Sequence, residues 1–234
     1  MSASRTAQSF SAVACPLCSN AQTAHAIYLT AFCTQTSSNP HQAMTNSMRN
    51  LSILLLAILC SGCSLKAHDI QQAPLKQNQA VVFDIDGTLT PKKSAFSTAR
   101  DDAATAAQLF ADNGYLIIYL TARRRSLQAG IPGWLNRKGF PEGNIQVRNK
   151  SDSKNNANFK KGVLREFQEN GWNLFAAYGD KSTDFEAYSA VGIDKSRTFA
   201  LQADGKDSCE PGIWAKCLKS WTEHIDDISE MVRP

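Results

Sequence analysis

The sequence predicts an α/β fold, a three-layer doubly wound parallel sheet of the Rossmann-like kind without a cap domain. From residue 80 onward, short apolar runs with β-propensity alternate with segments of helical periodicity. Strands separated by helices imply parallel βαβ units. Carboxylates and hydroxyls follow several of the strands, at the edge where ligands bind in such sheets.

The elements follow in a regular order. Apolar runs predict strands at 80–84, 115–120, 144–147, 174–178 and 198–201. Helical spacing predicts helices at 98–113, 124–138, 158–170, 183–191 and 219–231. Asn113-Gly114 supplies a C-terminal cap to the first helix, and Pro132 breaks the second.

The front of the chain predicts targeting. Leu51 to Leu59 is an apolar run, too short for a bilayer span of about 20 residues. It follows Met48-Arg49-Asn50, and Cys60-Ser61-Gly62-Cys63 comes after it. This arrangement resembles a bacterial lipoprotein signal with Cys63 as the lipidated residue. An ordinary secretory signal or a buried helix remains an alternative. We therefore expect an exported, periplasmic, membrane-anchored lipoprotein.

Four segments follow from this interpretation. Residues 1–47 are expected to be a non-native or disordered extension, because they show no clear amphipathic period. Residues 48–63 form the signal, 64–79 a polar tether, and 80–234 the globular domain. The chain has 25 Lys and Arg against 21 Asp and Glu. The chain therefore lacks the basic excess that is expected of a nucleic-acid-binding protein.

Cysteine usage fits export. If Cys63 carries lipid, Cys209 and Cys217 remain as a pair around the turn signal Glu210-Pro211-Gly212. In an oxidising compartment we expect these two residues to form a disulfide, and two unpaired thiols are the alternative.

Two aspartates end the first strand. Asp84 and Asp86 are one residue apart, so their side chains face the same way at the strand's carboxyl end. Like charges at this spacing require a cation or a shared proton. The pair therefore predicts a Mg²⁺ site with a carboxylate available as a nucleophile.

Four motifs together resemble those of the haloacid dehalogenase (HAD) superfamily of phosphotransferases. They are Asp84-x-Asp86-Gly87-Thr88, Leu120-Thr121-Ala122-Arg123, the lysine in Phe159-Lys160-Lys161, and Gly179-Asp180-x-x-x-Asp184. Within the superfamily the chain is most similar to the lipin-type phosphatidate phosphatase domain, over residues 80 to about 205. The lipin motif usually has Asn where this chain has Asp180.

The resemblance implies a role for each motif residue. Asp84 is the expected nucleophile and Asp86 the expected acid and base. The expected Mg²⁺ ligands are the carboxylates of Asp84, Asp180 and Asp184 and the backbone carbonyl of Asp86. Thr88, Thr121 and Lys160 are the residues expected to hold the phosphoryl group.

The implied activity is Mg²⁺-dependent hydrolysis of a phosphomonoester, with phosphatidate as the first substrate. The alternatives are a broad phosphatase of soluble phosphoesters and a non-catalytic phosphatidate-binding module. The segments between the motifs are too short for a cap domain, so the site is expected to be open. The clusters Arg123 to Arg125 and Lys92-Lys93 could bind an anionic substrate or be solvated surface. Sequence leaves the oligomeric state unknown.

Overall fold

The computed structural model describes residues 65–92 and 97–233. Six parallel strands form one sheet in the order β3-β2-β1-β4-β5-β6. The strands are β1 Gln79–Asp84, β2 Leu116–Thr121, β3 Asn144–Val147, β4 Asn173–Gly179, β5 Thr198–Leu201 and β6 Lys216–Leu218. The helices are α1 Ala103–Asp112, α2 Ile131–Arg137, α3 Asn156–Glu169, α4 Ser182–Ala190 and α5 Ile225–Met231. The predicted fold class is therefore confirmed.

Alternation along β1 divides the core into two layers. Val81 and Phe83 pack with residues of α1, α2 and α5 on one face of the sheet. Ala80 and Val82 pack with residues of α3 and α4 on the other. A strand that is buried on both faces is continuously apolar. This is why β1 could be recognised in the sequence and why it lies in the middle of the sheet.

Three helices begin later than predicted, and one strand was not predicted. The helix α2 begins at Ile131 rather than at 124, after a separate 3-10 turn at Arg125–Leu127, and α5 begins at Ile225 rather than at 219. The first helix begins at Ala103 rather than near residue 98, because Asp102 before it has a left-handed φ of 58°. Arg100 lies in the segment before the helix, and its amide donates to the Leu89 carbonyl. The three-residue strand β6 was not predicted. It pairs with β5 at the sheet edge and contains Cys217, which is bonded to Cys209 with a Cα–Cα distance of 5.8 Å.

Residues 65–79, which were expected to be a tether, are bonded to the domain at several points. His68 N donates to the Ile145 carbonyl at 2.9 Å, and Ala73 N donates to the Asn170 carbonyl at 2.8 Å. Gln146 Nε2 also donates to the His68 carbonyl at 2.7 Å. This strap covers the exposed edge of β3, a position where an unpaired strand would invite association.

The signal segment 48–63, with Cys63, and the extension 1–47 lie outside the described residues. Within the ranges that are described, no helix is long and apolar enough to cross a membrane. No inserted domain covers the carboxyl ends of the strands in this part of the chain, as the sequence predicts.

Trp221, which lies just before α5, contacts the loop of the first motif. Its ring is fully buried, with its centroid 5.7 Å from that of Phe83 and 4.9 Å from that of Tyr178. Its Nε1 donates to the Thr88 carbonyl at 3.1 Å. The C-terminal segment therefore supports the loop that carries the candidate site.

We expect Trp221→Phe to lower the free energy of unfolding by about 1–3 kcal/mol, because the buried Thr88 carbonyl loses its donor. Urea unfolding followed by circular dichroism measures the change. Trp172→Phe is the matched control, since Trp172 Nε1 donates to the Gln71 carbonyl at an exposed position. Equal losses in the two variants would contradict the proposed support.

Candidate active site

The site lies at the carboxyl ends of β1, β2 and β4. Asp84 ends β1, Thr121 ends β2, and Asp180 follows β4. Strands β2 and β4 flank β1, so the chain reverses its direction of progress across the sheet at this point. Such a switch point opens a crevice for ligands. The topology therefore brings together motifs that are almost 100 residues apart in sequence.

Three buried carboxylates meet in this crevice. Asp84, Asp180 and Asp184 are 4%, 3% and 2% exposed, and each places a carboxylate oxygen within 4.8 Å of the others. Asp184 accepts from the amides of Asp180 and Lys181 at 3.2 and 3.1 Å, which fixes its orientation at the start of α4. Carboxylates in such a group have the donor chemistry of a divalent-cation site.

Lys160 supplies the buried positive charge. It projects from α3 and its Nζ bonds to Asp84 Oδ1, and to Asp184 Oδ1 at 2.7 Å. The chain thus places one ammonium between two of the three carboxylates. An unpaired charge at this depth would be strongly destabilising, so the lysine and the carboxylates depend on one another.

The pKa values report the crowding of like charges. Burial, together with the neighbouring carboxyls of Asp184, Asp180 and Asp86, raises the pKa of Asp84 well above its ordinary range, although Lys160 opposes the shift. Burial and the adjacent Asp184 raise the pKa of Asp180 to about 6. Although burial opposes it, the carboxylates of Asp184 and Asp84 raise the pKa of Lys160, which therefore stays charged.

One glycine makes the close approach possible. Gly87 has a φ of 98°, and a Cβ atom there would lie 2.2 Å from Asp180 Oδ2. Only glycine satisfies both the backbone conformation and the space. Arg100 holds the same loop, since its Nη2 donates to the Gly87 and Gln202 carbonyls at 2.9 and 2.7 Å.

Asp86 is held apart from the acidic group. Thr121 Oγ1 donates to its Oδ2 at 2.6 Å, and Arg123 donates to its Oδ1 from Nε at 3.0 Å and from Nη2 at 2.6 Å. Its carboxylate is not among the three that converge. The side chain of Arg123 is only 7% exposed, so it is not solvated surface, and it forms an ion pair with Asp86.

The two candidate phosphate-binding hydroxyls have different surroundings. Thr88 is fully buried, and its Oγ1 donates to Asp84 Oδ2 at 3.1 Å. Its hydroxyl therefore orients the expected nucleophile. Thr121 lines the cavity, and its hydroxyl oxygen also accepts from the Arg123 amide at 3.0 Å.

The cavity above the site has a volume of about 480 Å³ and contains residues that the motifs did not include. Arg148 follows β3 directly, and its Nη1 donates to Asn156 Oδ1 at 2.8 Å. Lys181 Nζ lies 3.3 Å from Asp180 Oδ2 and 3.5 Å from Glu210 Oε1. Both could have been found from their positions just after strands.

The donor set fits a hard divalent cation. Besides the three converging carboxylates, Asp180 Oδ1 is buried and accepts no hydrogen bond from any described residue. A buried acceptor without a donor is costly unless an ion or water satisfies it. Asp84, Asp180 and Asp184 are therefore the residues that could hold a metal.

A comparison with protein-family models matches residues 81–202 to the LNS2 domain of PITM 1-3. This region is slightly more than half of the chain. The chain belongs to the LNS2 domain family. The matched region contains all the candidate site residues from Asp84 to Asp184, whereas Cys63, Cys209 and Cys217 lie outside it.

Curated relatives of this LNS2 domain are much longer proteins. Membrane-associated phosphatidylinositol transfer protein 1 of Rattus norvegicus is 29% identical over 129 residues, which cover 53% of this chain and 10% of the relative. Protein retinal degeneration B of Drosophila melanogaster is 32% identical over 134 residues, covering 55% and 10%. The alignments thus span about a tenth of either relative's length.

Among solved structures, similar chains include two phosphatases. The cobalt-bound deoxy-D-mannose-octulosonate 8-phosphate phosphatase of Haemophilus influenzae has a TM-score of 0.44 and 15% identity, and the alignment covers 66% of this chain and 88% of that one. A 3-deoxy-D-manno-octulosonate 8-phosphate phosphatase of Moraxella catarrhalis has a TM-score of 0.44 and 14% identity, covering 66% and 86%.

We expect Asp180→Asn to stabilise the metal-free LNS2 domain at neutral pH. The pKa of Asp180 is about 6 when folded and lower when unfolded, so the folded state binds more protons between about pH 4 and pH 6. Stability is therefore lost as pH rises through this window, and the amide variant avoids that loss. The gain is about 3 kcal/mol at pH 7.5 and vanishes near pH 4.

Thermal unfolding of both proteins in EDTA, from pH 4 to pH 8, measures this difference. In saturating Mg²⁺ the order should reverse, because the wild-type carboxylate gains a cation. A variant that is equally destabilised at every pH would show that the Asp180 charge is already compensated in the metal-free fold.

Proposed function

We propose that this LNS2 domain is a Mg²⁺-dependent phosphomonoester hydrolase that forms an aspartyl-phosphate on Asp84. Phosphatidate is the first candidate for its substrate. The observation that carries the proposal is the position of Asp84. Its carboxylate is buried at the end of β1, lies beside Asp180 and Asp184, and contacts Lys160. This set joins a nucleophile to positive charge that can offset an incoming phosphate.

The proposed reaction has two displacements. An oxygen of Asp84 attacks phosphorus and the ester bond to the alcohol breaks, while Asp86 gives its proton to the leaving oxygen. Asp86, now ionised, takes a proton from water as that water attacks phosphorus. The bond to Asp84 then breaks, and inorganic phosphate and the starting carboxylate are regenerated.

The surrounding residues supply orientation and charge. Mg²⁺, when bound by Asp84, Asp180 and Asp184, would offset the negative charge shared by phosphate and carboxylate. Thr88 holds one oxygen of Asp84 and Lys160 the other, so rotation of the carboxylate is restricted. The backbone carbonyl of Asp86 would be a further metal ligand. The hydroxyl of Thr121 would hold the phosphoryl group.

Asp86 needs a proton before it can act as an acid. In the structure its carboxylate is held in an ion pair with Arg123. We propose that an incoming phosphate competes for Arg123 and thereby releases Asp86. The open crevice allows this, because no described segment covers it.

A membrane-borne substrate suits the predicted location. Curated relatives carry names that describe membrane-associated phosphatidylinositol transfer proteins. The matched region excludes residues 48–63, so export to the periplasm and a lipid on Cys63 remain proposals. Together they would keep the domain at a bilayer.

The second candidate function is binding of phosphatidate without hydrolysis. It is favoured by the same ion pair, because an Asp86 that stays bound to Arg123 cannot protonate a leaving group. A phosphatase of soluble phosphoesters is the third. Substrate panels and the behaviour of Asp86 variants distinguish the three.

Phosphate release is the direct test of Asp84. With Mg²⁺, the wild-type protein should release phosphate from phosphatidate vesicles, and Asp84→Asn should lower the rate by at least about a thousandfold, because the nucleophile is removed. Asp112→Asn is the matched control at an exposed site. Soluble phosphoesters are assayed in parallel.

The outcomes separate the candidates. Release from soluble esters alone would remove phosphatidate as the substrate and keep the enzyme. Binding to phosphatidate vesicles without release from any substrate would favour the binding module. Unchanged turnover in a folded Asp84→Asn protein would refute the nucleophile.

Asp86→Asn gives a different signature. Because p-nitrophenolate leaves without a proton, Asp84 can still attack p-nitrophenyl phosphate, but water then lacks its base. We expect a burst of about one p-nitrophenol per active site, followed by a steady rate at least about a hundredfold below wild type. Stopped-flow absorbance measures both. A steady rate equal to that of wild type would exclude Asp86 as the base.

A further inference from the structure

The strap fixes where the N-terminal part of the chain meets the domain. His68 bonds to Ile145, and Asn144 Nδ2 donates to the Asp69 carbonyl at 3.1 Å. Lys66, two residues earlier, lines a cavity with Val147 and Asn149. As residue numbers fall along the strap, they rise along β3. The strap therefore runs antiparallel to β3, and its earlier residues lie toward the carboxyl end of the sheet.

This direction brings the start of the described chain to the active-site edge. Val147, at the end of β3, is paired in register with Thr121 of the candidate site. Leu65 thus enters the domain at the level of the site, not at the opposite end of the sheet.

The same edge carries cationic and apolar side chains. Arg124 and Arg125 directly follow the Thr121 motif and are exposed. Leu127, in the same turn, is 43% exposed and lines the mouth of the cavity with Arg124 and Arg148. The acidic groups of the cavity lie deeper and are paired with Lys160, Lys181 or Arg123.

We propose that this edge, which we call the basic rim and define as Arg124, Arg125, Leu127 and Arg148, docks on an anionic lipid bilayer. Cations near an anionic leaflet and an exposed apolar side chain that enters the interface both favour such docking. The docked face contains the open cavity, so the site would face the bilayer. The proposal deepens the proposed function on a membrane substrate, but it can be measured without hydrolysis.

The test is vesicle co-sedimentation of the full chain carrying Cys63→Ser, which removes any lipid anchor. The probes are phosphatidylcholine vesicles with and without phosphatidylglycerol, which is anionic but has no phosphomonoester. Neutralising two rim cations in Arg124→Gln/Arg125→Gln should weaken binding to the anionic vesicles about 30-fold. Raising the salt concentration should weaken wild-type binding as well.

Arg137→Gln/Lys138→Gln is the matched control. It removes the same charge from exposed positions at the end of α2, which precede the start of β3 and so lie at the other end of the sheet. We expect this variant to bind like the parent. Equal loss in both pairs would show attraction to net charge rather than docking of the rim and would overturn the proposal, as would salt-independent binding that is unchanged in the rim variant.

Hydrolysis of p-nitrophenyl phosphate, measured separately, keeps the two proposals distinguishable. Hydrolysis of the soluble ester without rim-dependent binding would support the proposed enzyme and overturn the proposed docking surface. Rim-dependent binding without any hydrolysis would support the proposed docking surface and overturn the proposed enzyme.

Discussion

The contact of Lys160 with Asp84 and Asp184 is the interaction on which the rest of the site depends. Three carboxylates are buried within a few ångströms of one another, and their mutual repulsion is severe in a low-dielectric interior. The lysine offsets part of it and leaves a net negative charge. That remaining charge is what a divalent cation would neutralise.

The architecture around this contact holds the charges in place. Gly87 leaves space for Asp180 to approach the loop of the first motif. Arg100 and Trp221 donate hydrogen bonds to carbonyls of the same loop. The supporting bonds come from the segment before α1 and from the C-terminal region. Distant parts of the chain therefore stabilise an arrangement that the carboxylates alone would oppose.

The sequence predicted what is encoded locally. Continuous apolar runs predicted β1 to β5. Asp84, Thr121 and Asp180 were expected together because they end or follow strands that share one edge of the sheet, whereas Lys160, on α3, was named from the resemblance of its motif. Strand β6 was missed because three residues carry too little periodicity. Residues 65–79 were expected to be a tether because their polar, Gln-rich sequence is typical of a linker. In the structure, backbone groups and side-chain amides bond this segment to the domain.

The pairing of Arg123 with Asp86 could not be predicted either, since it requires the ends of β1 and β2 to be compared in space. Arg123 and Thr121 hold the carboxylate of Asp86 apart from the three that converge. A phosphate group offers the Arg123 guanidinium more acceptor oxygens than the Asp86 carboxylate does, so an arriving phosphate would compete for Arg123. In the proposed reaction, Arg123 would therefore couple substrate binding to the release of Asp86.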